Sequence, residues 1–124
     1  MGAPYPGTPA GYANSDEKTW ALIAHFGGIV VGFIAGLVAL LVKGNESATV
    51  RAHAVEALNF QITWSAILFI TYIVAICTSF ITGGLSFVLP LAAWAMLLIF
   101  SILAGVKANE GQLYHYPASL RLVK

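Results

Sequence analysis

Charged side chains are scarce in this sequence. Only 9% of its 124 residues are Asp, Glu, Lys or Arg, and 59% are hydrophobic, whereas a soluble domain carries roughly 25% charged residues. A chain this short has a high ratio of surface to volume, so in water it would need far more polar side chains to cover itself. The same apolar content excludes a disordered chain. The composition therefore predicts a protein whose surroundings are largely lipid.

Other absences narrow the class of function. The formal net charge of +1 gives none of the clustered basic surface of a nucleic-acid-binding protein. The single cysteine, Cys77, excludes an internal disulfide framework and a thiolate metal cluster. The sequence also lacks a nucleophile paired with a base, a phosphate-binding loop and a dinucleotide fingerprint. We therefore expect no enzymatic activity, no cofactor and no bound metal.

The positions of the charges divide the apolar sequence into segments. No residue is charged in the 24-residue run 19–42 or in the 50-residue run 57–106. About 20 apolar residues cross a bilayer as a helix, so the first run supplies one span, and the second must fold back at its only turn-like cluster, Thr82-Gly83-Gly84. We therefore predict an all-α membrane protein with three transmembrane helices in a small bundle, at about residues 19–42, 57–81 and 85–106.

Two flanking segments and one loop complete the predicted organisation. Residues 1–18 are rich in proline and glycine, which predicts a disordered N-terminal tail. The amphipathic C-terminal tail, residues 107–124, mixes leucines with basic residues, as a segment lying on anionic lipids does. Packing of this tail onto the protein's own loop is an equally good interpretation. Between the first two spans, Gly44 is expected to end one helix and Asn45 or Ser47 to cap the next.

The distribution of basic residues predicts the orientation. In a three-span protein, the loop after the first span and the C-terminal tail share one side, and together they carry five basic residues against one, Lys18, on the other side. Loops rich in Lys and Arg stay in the cytoplasm. We therefore expect a multi-pass plasma-membrane protein with its N-terminus outside and its C-terminus in the cytoplasm.

Three glycines recur at four-residue intervals in the first predicted span. Gly28, Gly32 and Gly36 fall on one helical face, and small residues let two helices approach closely in lipid. This face is a candidate for self-association or for docking onto another integral membrane protein. Packing against a second helix of the same chain is the alternative, and we favour it.

A cluster of polar residues opens the second predicted span; it consists of Arg51, His53, Glu56, Asn59 and Gln61. His53, Glu56 and Asn59 share one helical face, and ionisable groups at the hydrocarbon edge are costly and usually point inward. A histidine and a carboxylate are groups that relay protons or hold a divalent metal, but two ligands are too few for a metal. We favour an interfacial cluster that hydrogen-bonds across the bundle.

His25 is a weaker candidate, about two turns into the first predicted span. In the predicted topology it enters the membrane from the outer side, whereas His53 and Glu56 enter from the cytoplasmic side. We therefore expect His25 to form an interhelical hydrogen bond, and we expect no joint site of these three residues.

Three sequence motifs occur in an order known from one protein family. They are Trp20-Ala21 with Ala24-His25; His53-Ala54 through Glu56-Ala57-Leu58-Asn59-Phe60-Gln61; and Lys107-Ala108 with Gly111 and Tyr116-Pro117. Together they resemble a family of small bacterial multi-pass membrane proteins of unknown function, thought to be distantly related to a membrane component of the chloroplast inner-envelope protein-import translocon. The resemblance covers about residues 17–124 and implies a helical membrane protein without implying an activity.

Two functions follow as hypotheses. The glycine face and the lack of soluble mass favour a non-catalytic accessory or scaffold subunit that docks in a larger membrane complex, such as a respiratory or envelope assembly. The alternative is a transport or translocation component, in which His25, His53, Glu56 and Asn59 line a path through an oligomer. Partners that co-purify in mild detergent would support the first hypothesis, and loss of flux in a folded Glu56→Gln variant would support the second.

Overall fold

The computed structural model describes residues 12–117 and 119–123. Within these residues it has four α-helices and no strands: α1 (Ser15–Val31), α2 (Phe33–Lys43), α3 (Ala48–Thr82) and α4 (Val88–Asn109), with a single 3-10 turn, Leu85–Phe87, leading into α4. The predicted all-helical class is confirmed.

The first apolar run is a helical hairpin. Gly32 adopts φ +64° and ψ −143° between α1 and α2, a backbone conformation that is essentially restricted to glycine, and the chain reverses its direction there. The two outer ends of the hairpin then meet, because Lys43 Nζ lies 3.1 Å from a carboxylate oxygen of Asp16. The start of α1 and the end of α2 therefore lie at the same end of the bundle.

Among the described residues, only α3 and α4 are long and apolar enough to cross a membrane, so the prediction of three spans is wrong. The run 19–42 has the length of a span, but it is divided between helices of 17 and 11 residues that pack against each other. Helix α3 has 35 residues and is about 50 Å long at 1.5 Å per residue. Its first turns therefore extend beyond a hydrocarbon core of about 30 Å.

The predicted break between the last two spans is confirmed. Gly83 and Gly84 both have positive φ, 64° and 89°, and the Gly83 N–H donates to the carbonyl of Ser79 at the end of α3. Pro90 lies in the first turn of α4, where a missing N–H costs no helical hydrogen bond. Helices α3 and α4 therefore form a second, longer hairpin beside the first.

All four helices begin or end at one end of the bundle, which we call the charged end. It carries the ten described charged residues: Asp16, Glu17, Lys18, Lys43, Glu46, Arg51, Glu56, Lys107, Glu110 and Arg121. The Tyr12 hydroxyl donates to the carbonyl of Ala108 at 2.5 Å, so the first described residues lie beside the end of α4. The expectation that the N- and C-terminal segments lie on opposite sides of the membrane is therefore wrong. We call the other end, around Gly83 and Gly84, the turn end.

The start of α1 falls inside the predicted N-terminal tail. The Asn14 side chain accepts a hydrogen bond from the Glu17 N–H and caps the helix, which begins at Ser15, so residues 15–18 are helical. Glu17 also accepts from the hydroxyl of Ser47, which itself caps α3 by accepting from Val50 N–H. This contact ties the starts of α1 and α3 together. The rest of the predicted tail, residues 1–11, lies outside the described residues.

The three glycines do not form one continuous face, because the helix is interrupted at Gly32. Gly28 and Gly36 face α3 of the same chain: a Cβ on Gly28 would lie 2.5 Å from Gln61 Nε2, and one on Gly36 would lie 3.2 Å from Leu58 N. Gly32 has open space around it at the tip of the hairpin. Gly28 and Gly36 thus pack within the chain, as the favoured interpretation has it, and offer no face for a second protein.

Candidate functional site

Four aromatic side chains form a hydrogen-bonded chain through the core near the charged end. Tyr116 Oη lies 2.6 Å from His25 Nδ1, His25 Nε2 lies 3.0 Å from His53 Nδ1, and His53 Nε2 lies 3.5 Å from Tyr12 Oη. None of the four residues is more than 2% exposed. We call this arrangement the Tyr–His chain.

The contact between the two imidazoles corrects the expectation that they lie on opposite sides of the membrane. Because the α1–α2 hairpin enters from the charged end, His25 reaches the same depth as His53. The rings meet edge to face, with centroids 5.2 Å apart. His25 does form an interhelical hydrogen bond, but its partner is the histidine from which it was expected to be separated.

The donors and acceptors of the Tyr–His chain can be assigned from its geometry. The Tyr12 hydroxyl uses its proton on the carbonyl of Ala108, so toward His53 it acts as the acceptor, which places the His53 proton on Nε2. His53 Nδ1 then accepts from His25 Nε2–H, and His25 Nδ1 accepts from the hydroxyl of Tyr116. Every hydrogen bond donates in one direction, and the assignment is complete with both imidazoles neutral.

An added proton would break this order. A protonated imidazole donates through both nitrogens. A proton added to His53 Nδ1 would therefore face the N–H of His25 Nε2. To avoid this clash, His25 would have to change its tautomer and Tyr116 would have to turn its hydroxyl proton away. The tyrosines keep their own protons, because burial raises the pKa of Tyr12 to about 12. Burial and the nearby Glu56 raise the pKa of Tyr116 well above its usual value. The Tyr–His chain is therefore suited to holding together the segment before α1, helix α1, helix α3 and the C-terminal tail.

Glu56 connects the Tyr–His chain to the C-terminal tail. Its Oε1 accepts from the Tyr116 N–H at 3.1 Å and from Arg121 Nη1 at 2.9 Å, and its Oε2 lies 3.6 Å from His115 Nδ1. The carboxylate is therefore occupied by the backbone and side chains of the tail. This use differs from the proton relay or metal ligand that the sequence left open.

The C-terminal tail packs back onto the protein, and we call its described residues 116, 117 and 119–123 the strap. Asn59 binds the backbone of Val123 twice, accepting from its N–H at 2.6 Å and donating to its carbonyl at 2.9 Å. Thr63 Oγ1 accepts from the Leu120 N–H at 3.0 Å. The strap has no helix or sheet to pair its backbone, so polar side chains along one face of α3 serve that need. Its partner is α3, where the sequence suggested the loop, and Lys124 lies outside the described residues.

The remaining candidates have separate positions. Gln61 Nε2 donates to Ser101 Oγ at 2.8 Å, which joins α3 to α4 beneath the Tyr–His chain. Arg51 lies on the exposed side of the first turns of α3. Of the predicted cluster of Arg51, His53, Glu56, Asn59 and Gln61, the last four form hydrogen bonds to other segments of the bundle. Sequence reasoning missed the roles of Tyr12 and Tyr116, of which only Tyr116 lay in a motif of the family resemblance.

The described residues contain no group of three or more His, Cys, Asp or Glu side chains arranged for a metal. The imidazole nitrogens face one another and the tyrosine hydroxyls. The four side chains therefore form a line and do not converge on one point where a metal ion could bind. Within residues 12–117 and 119–123, every buried side-chain nitrogen and oxygen has a hydrogen-bond partner. The polar interior is therefore satisfied by the chain itself.

The surface of the charged end carries both acidic and basic side chains, and these form ion pairs. Lys43 bridges Asp16 at 3.1 Å and Glu46 at 3.6 Å, and these carboxylates raise the pKa of Lys43. Lys107 lies 3.9 Å from Glu110 at the end of α4. These pairs lie on the loops and helix ends that surround the start of α3.

Residues 16–123 of the chain match the family described as the magnetosome magnetite crystal formation protein family, and the chain belongs to it. The match confirms the expectation of a small bacterial membrane protein family, and this family is one of magnetosome membrane proteins. Together with the two long apolar helices, it supports a location in a lipid bilayer. No curated protein and no solved structure matches the chain.

Proposed function

We propose that this member of the magnetosome magnetite crystal formation protein family is a non-catalytic accessory protein that docks onto other integral membrane proteins through its charged end. One observation carries the proposal: the ten described charged residues lie at one end of the bundle, whereas the polar groups inside the bundle are hydrogen-bonded to one another. The surfaces left for other molecules are a charged face and helices covered by apolar side chains.

The charged face suits a protein partner. The side chains of Asp16 and Glu46 are 59% and 67% exposed, and those of Lys107 and Glu110 are 47% and 52% exposed. Ion pairs this exposed contribute little to stability, so they exchange readily for the charges of a partner. A surface of mixed sign selects partners with a complementary pattern of charge.

The same charges support an orientation. Every described basic residue, including Lys18 of the N-terminal segment, lies at the charged end, and the turn end has none. Since Lys- and Arg-rich segments stay in the cytoplasm, we place the charged end there. Both the first described residues and the strap then face the cytoplasm.

The structure lends less support to a transport role. The residues expected to line a path, His25, His53, Glu56 and Asn59, do come together, but none is more than 7% exposed. Each is engaged by another part of the chain, and the strap covers the face of α3 that carries Glu56 and Asn59. A path would require these contacts to open.

Site-specific photo-cross-linking in a magnetosome-forming bacterium tests the docking surface. A photoreactive residue at Asn45, which is exposed between α2 and α3, should yield discrete protein adducts that mass spectrometry identifies. The matched position is Ile81, 86% exposed at the turn end, which should yield none. Protein adducts at Ile81 and none at Asn45 would contradict the proposal.

A charge reversal links docking to crystal formation. Glu46→Lys with Glu110→Lys alters the charged face without touching the Tyr–His chain or the strap, so the protein should remain in the membrane at its normal level. Electron microscopy should then show altered crystal size or number when this variant replaces the original chain. The control is Val30→Leu, which changes an 83% exposed apolar residue on α1. Unchanged crystals with the double variant would contradict a role for this face.

A further inference from the structure

The bundle is much wider at its charged end than at its turn end. In the half near the charged end, α1, α2 and the strap pack beside α3 and α4. In the half near the turn end, α3 and α4 are the only helices among the described residues. Gly32, at the tip of the α1–α2 hairpin, lines a cleft of about 180 Å³ together with Leu68 of α3 and Trp94 of α4. Beyond Leu68, α3 continues for 14 residues to Thr82, which is about 21 Å of helix.

Side-chain burial follows the same division. The buried residues of α3 lie between Val50 and Thr63, with Ala75 the only further one. Past the hairpin tip the apolar side chains point outward; Phe69 is 66% exposed, Leu91 63% and Phe80 98%. The short hairpin thus reaches only partway along the long one.

Lipid is the occupant that fits this uncovered region. Along α3, residues 69, 70, 72, 73, 74 and 76 are all between 42% and 66% exposed. These residues span more than half of the circumference of α3, at about 100° per residue, and the buried Ala75 lies on the remaining side. A single docked helix would cover a narrower stripe than this. The region also has no charged residue among those described. Acyl chains cover such a wide apolar surface.

We infer that the protein is a membrane wedge that concentrates where the leaflet at its charged end is convex. Two helices about 10 Å across add about 160 Å² of cross-section to that leaflet and nothing to the other. Convex bending spreads the headgroups of one leaflet and opens space for an inclusion that is wide on that side. Membrane-inserted helices that occupy one leaflet respond to curvature for the same reason. This inference depends on the membrane location and is independent of the proposed docking role.

Single-vesicle fluorescence tests the wedge. The full chain carries a dye at Asn45→Cys in a Cys77→Ser background and is reconstituted into vesicles of neutral phosphatidylcholine, so that surface charge does not attract it. An impermeant quencher removes the fluorescence of molecules whose charged end faces outward, on the convex outer leaflet. The fluorescence that remains comes from molecules whose charged end lies on the concave inner leaflet. Each vesicle then gives the density of both populations and its own diameter.

The two populations should respond to curvature with opposite sign. Between vesicles of about 300 nm and about 30 nm diameter, the outward-facing density should rise about twofold or more and the inward-facing density should fall. The two orientations are the same folded molecule, so each is the control for the other. Equal behaviour of both populations, or no dependence on diameter, would overturn the inference. Stepwise photobleaching should count one molecule per spot; two, with the second copy filling the space beside α3 and α4, would also overturn it.

Discussion

Removing a single hydroxyl should measure the strength of the Tyr–His chain. In Tyr116→Phe the ring remains, and it still stacks on Phe60 with centroids 4.2 Å apart and planes at 24°, so no cavity forms. The lost group is the donor to His25 Nδ1 at 2.6 Å. His25 is 0% exposed, so water does not replace that donor. Leaving a buried acceptor unpaired costs about 1–3 kcal/mol, and the free energy of unfolding should fall by that amount.

Unfolding in mixed micelles supplies the measurement. The variants are titrated with a denaturing detergent, and tryptophan fluorescence and helicity report the fraction folded. The matched control is Tyr114→Phe. The Tyr114 ring packs edge-on against Tyr116 with centroids 5.2 Å apart, but its hydroxyl is not part of the Tyr–His chain. Its effect should stay within about 0.5 kcal/mol. Equal effects of the two substitutions would refute the assignment of His25 Nδ1 as an acceptor that depends on Tyr116.

A double-mutant cycle separates the hydrogen bond from other losses. His25→Leu alone should destabilise more than Tyr116→Phe alone, because it leaves both the Tyr116 hydroxyl and His53 Nδ1 unpaired. In the double variant, Tyr116→Phe should add little, since the hydroxyl has already lost its acceptor. A coupling free energy of about 1–2 kcal/mol is expected. Strict additivity would mean that the two side chains do not interact.

Three further predictions address topology, the strap and alkaline pH. In a Cys77→Ser background, cysteines at Ala13 and Ile81 should react with an impermeant reagent from opposite sides of a sealed vesicle, whereas three spans would place them on the same side. Asn59→Leu removes both hydrogen bonds to the end of the strap, so amide hydrogen exchange there should accelerate about tenfold or more; unchanged exchange would contradict the contact. Because the pKa of Tyr12 is raised to about 12 in the folded protein and is about 10 in the unfolded chain, the free energy of unfolding should fall as the pH rises from about 10 through 12. Tyr12→Phe should reduce this fall, and an identical pH profile would contradict it.

Hydropathy predicted the helical class and the second hairpin but not the first. A run of 24 uncharged residues has the same composition whether it is one straight span or two short helices packed together, because the decision depends on the backbone angles of one residue, Gly32. The sequence does contain a relevant signal. Residues of opposite charge, Asp16 and Lys43, flank the run, and their pairing requires the two ends to meet.

The site was predictable where it depends on helical periodicity. The spacing of His53, Glu56 and Asn59 places them on one face of α3, and the structure has them there. Their partners come from segments without periodicity: Tyr12 is 41 residues from His53, and Tyr116 is 91 residues from His25. No local pattern encodes such contacts. The separation expected between His25 and His53 was wrong because it was derived from the wrong topology.

The strap has a consequence for the order in which the protein is made. Residues 116–123 leave the ribosome after all four helices, yet they supply the donor to His25 on α1 and the backbone partners of Glu56, Asn59 and Thr63 on α3. The polar core can therefore be completed only after the strap has been synthesised. Until translation has passed the strap, His25, Glu56 and Asn59 lack these partners from the C-terminal tail. Of the described residues, those synthesised last are therefore the ones that complete the polar core.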